Sequence, residues 1–432
     1  MLGGGTFTTM NKVLSGSYIN YVSATRAQTQ LSNRGVAAIP MSLKWGLDGI
    51  TKVTKEDFEN KCIKILGYSY DSAEMLPIRE FFKYGSVLYI YNLNGGTNAS
   101  CDISTAKCKG TKGNDIKHVV SMNVDNESLF EVSTYVGSYL ADTQTVSKSA
   151  ELVDNDFVSF KKDVELTESV GIPLTGGTDV NPTGEEHSKA LSTLEKISFN
   201  ILGCMSAEET VKKSYAEFTK RMRDEYGIKF QTVIFSHKAD YIGCISVKNK
   251  VNDSGADVYA LVPWMCGAES GCELNKTCEN MTYDGEYDIN VDYNQCELID
   301  IIKGGEIVFH QNGDDVSVLS DINTFVSFTN EMGEDFQLNQ VIRVLDEVAI
   351  QQASIFNSKY IGKVQNNADG RTAYWNECVD VCKELLKISA LEEFSSDDVT
   401  IEKGEGKRDV ILKLALKPAC AMSKLYSTIY VS

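Results

Sequence analysis

Helical and extended patterns alternate in the middle of the chain, and this alternation restricts the fold more than any other feature. Thr183-Gly184-Glu185-Glu186 has the residue types of a capping box, which satisfies the free amides at a helix start, and it predicts a helix to about Lys196. Ser206-Ala207-Glu208-Glu209 repeats the pattern and predicts a second helix. Extended apolar segments near 199–202 and 230–235 flank that second helix. A strand, a helix and a strand in succession predict a parallel sheet and therefore an α/β unit.

A similar succession occurs nearer the start of the chain. Residues 36–40 and 86–91 have the composition of strands, and the segment 55–66 between them has a helical pattern. From about 96 to 172 the pattern changes to short alternating segments separated by Asn, Gly, Asp and Ser. We therefore expect a small α/β unit followed by an inserted β-domain.

The last third of the chain combines a hairpin, two amphipathic helices and a strand. Asn312-Gly313 is a hairpin signal between the extended segments 307–309 and 316–319. The predicted apolar faces of the two helices consist of Leu338, Val341, Leu345, Val348 and Ala349 in the first and Tyr374, Cys378, Val381, Leu385 and Ile388 in the second. Alternation over 409–417 predicts a half-buried strand.

Two further extended segments lie close to the ends of the chain. Residues 17–22 form a short extended candidate within a glycine-rich and polar stretch, and residues 425–431 are extended and apolar without a charge or proline to protect them. An unprotected strand edge invites pairing with another chain. The sequence therefore predicts terminal arms that engage a partner.

The charge of the chain argues against a nucleic-acid partner. Its 60 acidic residues against 42 basic ones give a formal net charge of -18, which repels a phosphate backbone. The start of the chain lacks a basic leader followed by an apolar core, and no apolar run approaches the roughly 18 residues of a membrane span. We expect a cytoplasmic product without membrane insertion.

The twelve cysteines include a loose cluster, Cys266, Cys272, Cys278 and Cys296. Zinc sites favour pairs that are two to four residues apart, and these intervals are longer, with no histidine nearby. We therefore predict buried, reduced thiols and no metal site.

Motifs for covalent chemistry do not occur in the sequence. The string 267–271 places its serine one position too late for a nucleophile elbow, and 404–408 fails the spacing of a phosphate-binding loop. The four histidines, His118, His187, His237 and His310, form no metal or catalytic pattern. We predict no catalytic residue, no cofactor and no enzyme; a serine hydrolase is the remote alternative.

Several strings carry a family resemblance. These are 341–346, 360–371, and 416–418 with 421–426, together with Leu174-Thr175-Gly176-Gly177-Thr178-Asp179 and Tyr283-Asp284-Gly285. With them the chain resembles the tail sheath family of contractile phages, and it is most similar to the short sheaths of Gram-positive myophages, defective phages and phage tail-like bacteriocins. The resemblance covers nearly the whole chain.

The resemblance implies a mixed α/β, multidomain fold with a subtilisin-like central domain, an inserted β-sandwich, a C-terminal α/β domain and extended arms. Subtilisin-like refers to the fold alone, because fold does not carry function. The boundaries that we expect are 1–25 for the N-terminal arm, 26–95 for the N-terminal α/β segment, 96–172 for the β-sandwich, 173–325 for the central domain, 326–417 for the C-terminal domain and 418–432 for the C-terminal arm strand.

It also implies a function. Sheaths of this family form stacked hexameric rings around a tail tube, contract to drive the tube through a bacterial envelope, and link neighbouring subunits by arms that add strands to a sheet. The residues expected to exchange strands are Tyr18, Ile19, Asn20, Tyr21, Val22, Leu425, Tyr426, Ile429 and Val431. Expected partners are other copies of the chain, the tail tube protein, and baseplate and tail terminator proteins, in a virion or tail-like particle made in a bacterial cytoplasm.

For the surface that faces the tube, the hypothesis is the predicted helix 371–388, with Arg371, Lys383 and Lys387 as ionic contacts. A solvated helix face is the alternative interpretation of these three residues. Within the same architecture, the sheath of a headless R-type bacteriocin remains an alternative to that of a phage.

Overall fold

The computed structural model describes residues 31–32 and 34–431. The predicted strand at 17–22 therefore lies outside the described residues. No helix within them has both the length and the apolar character required to cross a membrane.

The elements follow each other in four groups. Residues 34–93 form β1 (Val36–Met41), β2 (Ile50–Thr54), α1 (Lys55–Leu66), α2 (Leu76–Phe82) and β3 (Val87–Asn92). Residues 94–179 form β4 (Asn98–Ser100), β5 (Ser104–Lys109), β6 (Ile116–Met122), β7 (Phe130–Val136), β8 (Tyr139–Val146), β9 (Val158–Phe160) and β10 (Ser169–Pro173). Residues 181–324 form α3 (Gly184–Leu194), β11 (Ile201–Cys204), α4 (Glu209–Asp224), β12 (Gln231–Phe235), β13 (Cys244–Val247), α5 (Val262–Gly271), α6 (Gln295–Lys303), β14 (Glu306–Ile307), β15 (Phe309–Asn312) and β16 (Asp315–Val318). Residues 331–431 form α7 (Asn339–Ile355), α8 (Ala368–Lys387), β17 (Val399–Lys403) and β18 (Val410–Leu414).

The largest sheet unites the first and third groups. Its strand order is β14-β13-β12-β11-β1-β3-β2, and every neighbouring pair is parallel except β2 with β3. Ala37 and Ile39 of β1 contact the core on the α2 and α5 side, whereas Ala38 contacts the core of α3 and α4 on the other side. The predicted parallel sheet is confirmed, and the N-terminal strands extend it.

Side-chain capping bonds mark the start of α1, α3, α6 and α8. The capping box of α3 forms as predicted, with reciprocal hydrogen bonds between Thr183 and Glu186. The second predicted box is wrong: Glu208 is the N-cap of α4, with no side-chain capping bond. The Ser206 hydroxyl accepts a hydrogen bond from the Glu208 amide at 3.1 Å, so it closes a turn before the helix. Glu209 pairs with Lys212 instead of reaching back to Ser206.

The predicted hairpin is confirmed, with Asn312 opposite Asp315 and Gly313 at a φ of 66° in the turn. Four of the five residues predicted for the apolar face of α8 are buried, namely Tyr374, Cys378, Val381 and Leu385, and Ile388 is partly buried just past the end of the helix. In α7 the buried face differs, since Arg343, Val344 and Glu347 are buried and Leu345 is only partly buried. The mixed α/β, multidomain fold class is thus confirmed.

The second group contains a four-stranded sheet, β10-β6-β7-β8, and a three-stranded sheet, β4-β5-β9. His118 lies fully buried where they meet, with Nε2 2.6 Å from Ser104 Oγ and Nδ1 3.2 Å from Thr134 Oγ1. Burial lowers the pKa of His118 to about 4. A serine and a histidine are thus adjacent, but both are sealed in the core and the third group is a hydroxyl, not a carboxylate.

The buried histidine predicts an acid-sensitive β-domain. Its folded pKa is below the unfolded value of about 6.5, so its contribution to stability is complete above that pH and is lost as pH falls towards 4. Between pH 7 and pH 4.5 we expect a loss of about 2–3 kcal/mol from this residue. His118→Gln, which stays neutral and keeps polar contacts, should show a shallower loss in thermal unfolding. An equal pH dependence in both proteins would contradict this assignment.

Candidate assembly surface

The C-terminal hairpin is a small sheet with free edges. β17 and β18 pair from Val399 with Leu414 to Lys403 with Val410, and no third described strand joins them. Trp375 of α8 donates its indole hydrogen to Val399 O at 2.8 Å, which fixes the hairpin on that helix. One face of the hairpin contributes Val399, Ile401, Leu412 and Leu414 to the core around α7 and α8. Neither outer edge of the hairpin pairs with a described strand.

The tail beyond β18 first follows the body of the protein and then leaves it. Ala419 N donates to Ala390 O and Ala421 N to Gln340 Oε1, both at 3.0 Å, and Ser423 Oγ donates to Glu279. Beyond Lys424 the large apolar side chains are 84–93% exposed: Leu425, Tyr426, Ile429, Tyr430 and Val431. Residues 425–431, for which the sequence predicts an extended segment, form no strand in this single chain and pair with no described strand.

The first described residues of the chain are bonded to the body of the protein. Ser32 N donates to Glu347 Oε1 at 2.7 Å. Arg34 donates from Nε to Cys272 O at 2.8 Å and from an η nitrogen to Glu269 O at 2.9 Å. The start of the described chain is therefore attached to both α5 and α7.

The three basic residues predicted on α8 do not form one patch. Arg371 binds Asn366 Oδ1 at 2.9 Å in a cavity of about 600 Å³ that Tyr360, Tyr374 and Arg408 also line. Lys383 lies about 18 Å farther along the helix axis and is exposed beside Lys387, which pairs with Glu384 at 3.3 Å. Arg371 thus belongs to the hairpin end of the domain, whereas Lys383 and Lys387 share another surface.

A buried ionic junction, which the sequence analysis missed, holds α7 to the central domain. Arg343 binds Asp321 at 3.0 Å and Glu269 more closely, and all three side chains are at most 3% exposed. Asp321 also accepts hydrogen bonds from Thr277 Oγ1, Cys278 N and Asn339 Nδ2 at 2.7–2.9 Å. We call Glu269, Asp321, Asn339 and Arg343 the ionic junction.

The two carboxyl groups of the junction have opposite pKa shifts. Arg343 and the hydrogen bonds to Asp321 outweigh burial and hold the pKa of Asp321 well below its usual range. Burial, followed by the charge of Asp321, raises the pKa of Glu269 well above its usual range. Asp321 is therefore the anion that pairs with Arg343.

A second ionic contact between α7 and the central domain involves Asp346, two turns after the start of α7. Both η nitrogens of Arg223 in α4 bind the carboxylate of Asp346, at 2.6 and 2.8 Å. Together with the ionic junction, this bidentate pair makes the central domain and α7 one body.

Three potential metal ligands, Glu269, Cys278 and Asp321, lie together with ligand atoms within 4.8 Å of one another. The guanidinium of Arg343 contacts both carboxyl groups of this cluster. Cys266 and Cys278 are fully buried thiols, as predicted. The prediction is wrong for Cys296, which is exposed because α6 buries only Ile301, and Cys272 is half-buried.

Similarity to known proteins extends over this whole architecture. Residues 34–93 match the tail sheath protein Gp18 domain III N-terminal region, 94–179 the phage tail sheath protein beta-sandwich domain, 181–324 the phage tail sheath protein central domain, and 331–432 the phage tail sheath C-terminal domain. The phage-like element PBSX protein XkdK of Bacillus subtilis is 31% identical over 468 aligned residues, which span all of both chains. The chain belongs to the phage tail sheath family.

Solved structures agree with this membership. The sheath tail protein of Desulfitobacterium hafniense is 34% identical, with a TM-score of 0.82 over 93% of this chain and 96% of that one. The helical sheath protein of the anti-feeding prophage, in its contracted state, shares the fold with a TM-score of 0.57 at 11% identity, over 96% and 99% of the two chains. Membership in the sheath family thus applies to all four groups of elements.

Proposed function

We propose that the chain is the repeating subunit of a contractile sheath, in which stacked hexameric rings surround a tail tube. The observation that carries this proposal is that one molecule contains both a two-stranded hairpin without a neighbouring strand and an exposed apolar tail. If the tail of each subunit adds a strand to the hairpin of the next subunit, each contact joins two different surfaces and repeats from subunit to subunit. Such heterologous contacts generate open-ended polymers when the operation that relates neighbours does not close into a ring.

In this proposal residues 425–431 add a strand to the β17–β18 hairpin of a neighbour, and Tyr18–Val22 of another neighbour adds a strand at the opposite edge. Alternation along an added tail strand would place Leu425, Ile429 and Val431 on one face and Tyr426 on the other. The first set can continue the apolar layer that Leu412 and Leu414 form over α8. The cavity beside Arg371 and Tyr374 lies at the start of β18, next to that apolar layer.

In this proposal contraction moves rigid bodies, each made of the central domain and α7, that the arms keep connected. The ionic junction and the Arg223–Asp346 pair keep α7 fixed to the central sheet, so neighbouring bodies can change their mutual contacts while the arms hold them together. The free energy that drives contraction is stored when the extended lattice assembles. A difference of a few kcal/mol per subunit between the extended and contracted states is sufficient for a cooperative transition. Neither a cofactor nor a covalent step is part of this mechanism.

The domain boundaries proposed from the sequence fit the same scheme, with the β-sandwich at 96–172 as an outer module and 326–417 next to the tube. The tube protein, a baseplate and a tail terminator are the partners that a sheath of this kind requires. The subunit is then a component of a virion or of a headless tail-like particle, made in the bacterial cytoplasm.

Negative-stain microscopy of the purified chain tests this function. We expect tubular polymers whose end views have sixfold symmetry, alone or on added tail tubes. A monodisperse monomer at high concentration, with or without tubes, would count against a sheath.

Charge reversal on α8 tests the proposed tube surface. Lys383→Glu with Lys387→Glu should weaken assembly on tail tubes and reduce its dependence on salt, because ionic contacts at exposed sites are screened. Arg371→Glu is the matched single change at the separate hairpin site. If the double variant assembles on tubes with an unchanged salt dependence, Lys383 and Lys387 do not face the tube.

A further inference from the structure

The chain after β18 is first held to the C-terminal domain by backbone bonds. Glu392 N donates to Lys417 O at 2.9 Å, and Ala419 N donates to Ala390 O at 3.0 Å. These two bonds flank an antiparallel bridge, so this part of the chain is held as a short strand pair would be. We call residues 417–419 the inner anchor.

Residues 420–424, which we call the strap, continue from the inner anchor to the central domain. Ala421 N donates to Oε1 of Gln340, at the start of α7, at 3.0 Å. The Ser423 hydroxyl donates to the carboxylate of Glu279 in the central domain. Each of these two bonds depends on a side chain, whereas the bonds of the inner anchor join backbone to backbone.

The strap is held more loosely than the inner anchor. All five of its residues are exposed, and the side chain of Met422 is fully so, whereas Pro418 and Ala419 are partly buried. Segments with exposed hydrogen bonds and few buried apolar contacts open locally at a low cost in free energy. Water also replaces protein partners readily at an exposed surface. The strap can therefore detach while the inner anchor stays paired.

We propose that residues 420–424 are a releasable strap, which gives the link between neighbouring subunits a short and a long form. The inference rests on the proposed sheath function, in which a neighbour binds residues 425–431. With the strap attached, the free tail begins beside Glu279 in the central domain. With the strap detached, it begins beside Ala390 in the C-terminal domain, and the five residues add about 16 Å of extended chain.

The order of the contacts along the chain decides which of them yields first. Tension on a bound tail reaches the strap before it reaches the inner anchor, because the strap lies closer to residues 425–431. Its two side-chain bonds then break, and the added length lets two rigid bodies move apart while the tail stays bound to the hairpin. The strap thus sets how far neighbouring bodies can move without losing their link.

Hydrogen exchange of the unassembled chain tests how the strap is held. The Ala421 amide should exchange about tenfold more slowly in the full-length protein than in Gln340→Ala, which removes its acceptor. Gln340→Glu keeps an acceptor oxygen and should retain the slow rate. In all three proteins the Ala419 amide should exchange at least tenfold more slowly than that of Ala421. Equal rates at Ala419 and Ala421, or no effect of Gln340→Ala, would overturn the proposal.

A covalent lock tests what the strap does in assembled tubes. Glu279→Cys with Ser423→Cys places two thiols at the outer bond of the strap for a short bismaleimide, in a chain whose exposed Cys296 and Cys420 are replaced by serine. The locked chain should form tubes, because residues 425–431 stay free, but these tubes should not contract in conditions that contract the parent tubes. Ser423→Cys alone, treated with the same reagent, is the matched control and should contract.

The outcomes separate the strap from the sheath function. Locked tubes that contract as the control does would overturn the strap and leave the sheath function standing. Locked chains that form no tubes, although thermal unfolding shows them to be folded, would overturn the short form of the link. If the unlocked parent forms no tubes, the sheath function fails, and the role of the strap fails with it.

Discussion

A chain that ends at Lys424 is expected to fold and unfold as the full-length protein does, and to form no tubes. The residues removed are almost fully exposed, so their loss should change the unfolding free energy by less than about 0.5 kcal/mol. In the polymer the same residues are proposed to be buried. Burial of only two of their large side chains would stabilise each contact by about 3 kcal/mol. Loss of this contribution corresponds to a rise of about a hundredfold in the concentration needed for assembly.

Two variants distinguish strand pairing by the tail from its non-specific hydrophobic association. Ile429→Pro keeps an apolar tail but removes a backbone donor, and it should also impair assembly. Val124→Ser removes a side chain that is 97% exposed in the β-domain and should leave assembly intact. Normal tubes from the chain ending at Lys424, seen by microscopy and sedimentation, would rule out the tail as a link.

The second large effect is a difference between two isosteric changes in the ionic junction. Asp321→Asn should lower the unfolding free energy by about 3–5 kcal/mol, because it leaves Arg343 buried without its anion. The new amide group would also face three groups that donate hydrogen bonds to the Asp321 carboxylate, namely Thr277, Cys278 and Asn339. Glu269→Gln should cost less than about 1 kcal/mol, since the raised pKa of Glu269 already favours its neutral form.

Urea unfolding near pH 7 measures this difference, and Arg221→Ala is the control at an exposed ion pair, where about 0–1 kcal/mol is expected. The pH dependence provides a further check. Asp321 has a lowered folded pKa, so its contribution is present above pH ~4 and is lost as pH falls below that value. Asp321→Asn should therefore lose less stability in acid than the parent. Equal destabilisation by the two amide substitutions would contradict the assigned charges.

Elements governed by neighbouring residues could be predicted from the sequence. The helix predicted at 55–66 has those same limits in the structure, because Thr54 caps its start and Gly67, at a φ of 75°, ends it. The hairpin at Asn312-Gly313 and the box at Thr183 depend on equally local chemistry. The start of α4 was mispredicted because Ser206 satisfies an amide in a turn that resembles a cap in sequence.

Features that depend on distant residues could not be predicted. Glu269, Asp321 and Arg343 come from three separate segments, and nothing in the spacing of the sequence brings them together. One signal was available: Glu269 interrupts an apolar stretch, and Arg343 lies between apolar residues of α7, where an unpaired charge is costly. Similarly, residues 425–431 had the composition of a strand, but a strand requires a partner, and one chain does not supply it.

The most direct test of the account is a cryo-electron microscopy map of polymers of the purified chain, at a resolution that traces the backbone. We predict that residues 425–431 of one subunit run beside β17–β18 of the next as an added strand, with Tyr18–Val22 of another subunit at the opposite edge. Subunits joined only through their globular surfaces, with both edges of the hairpin free, would contradict it.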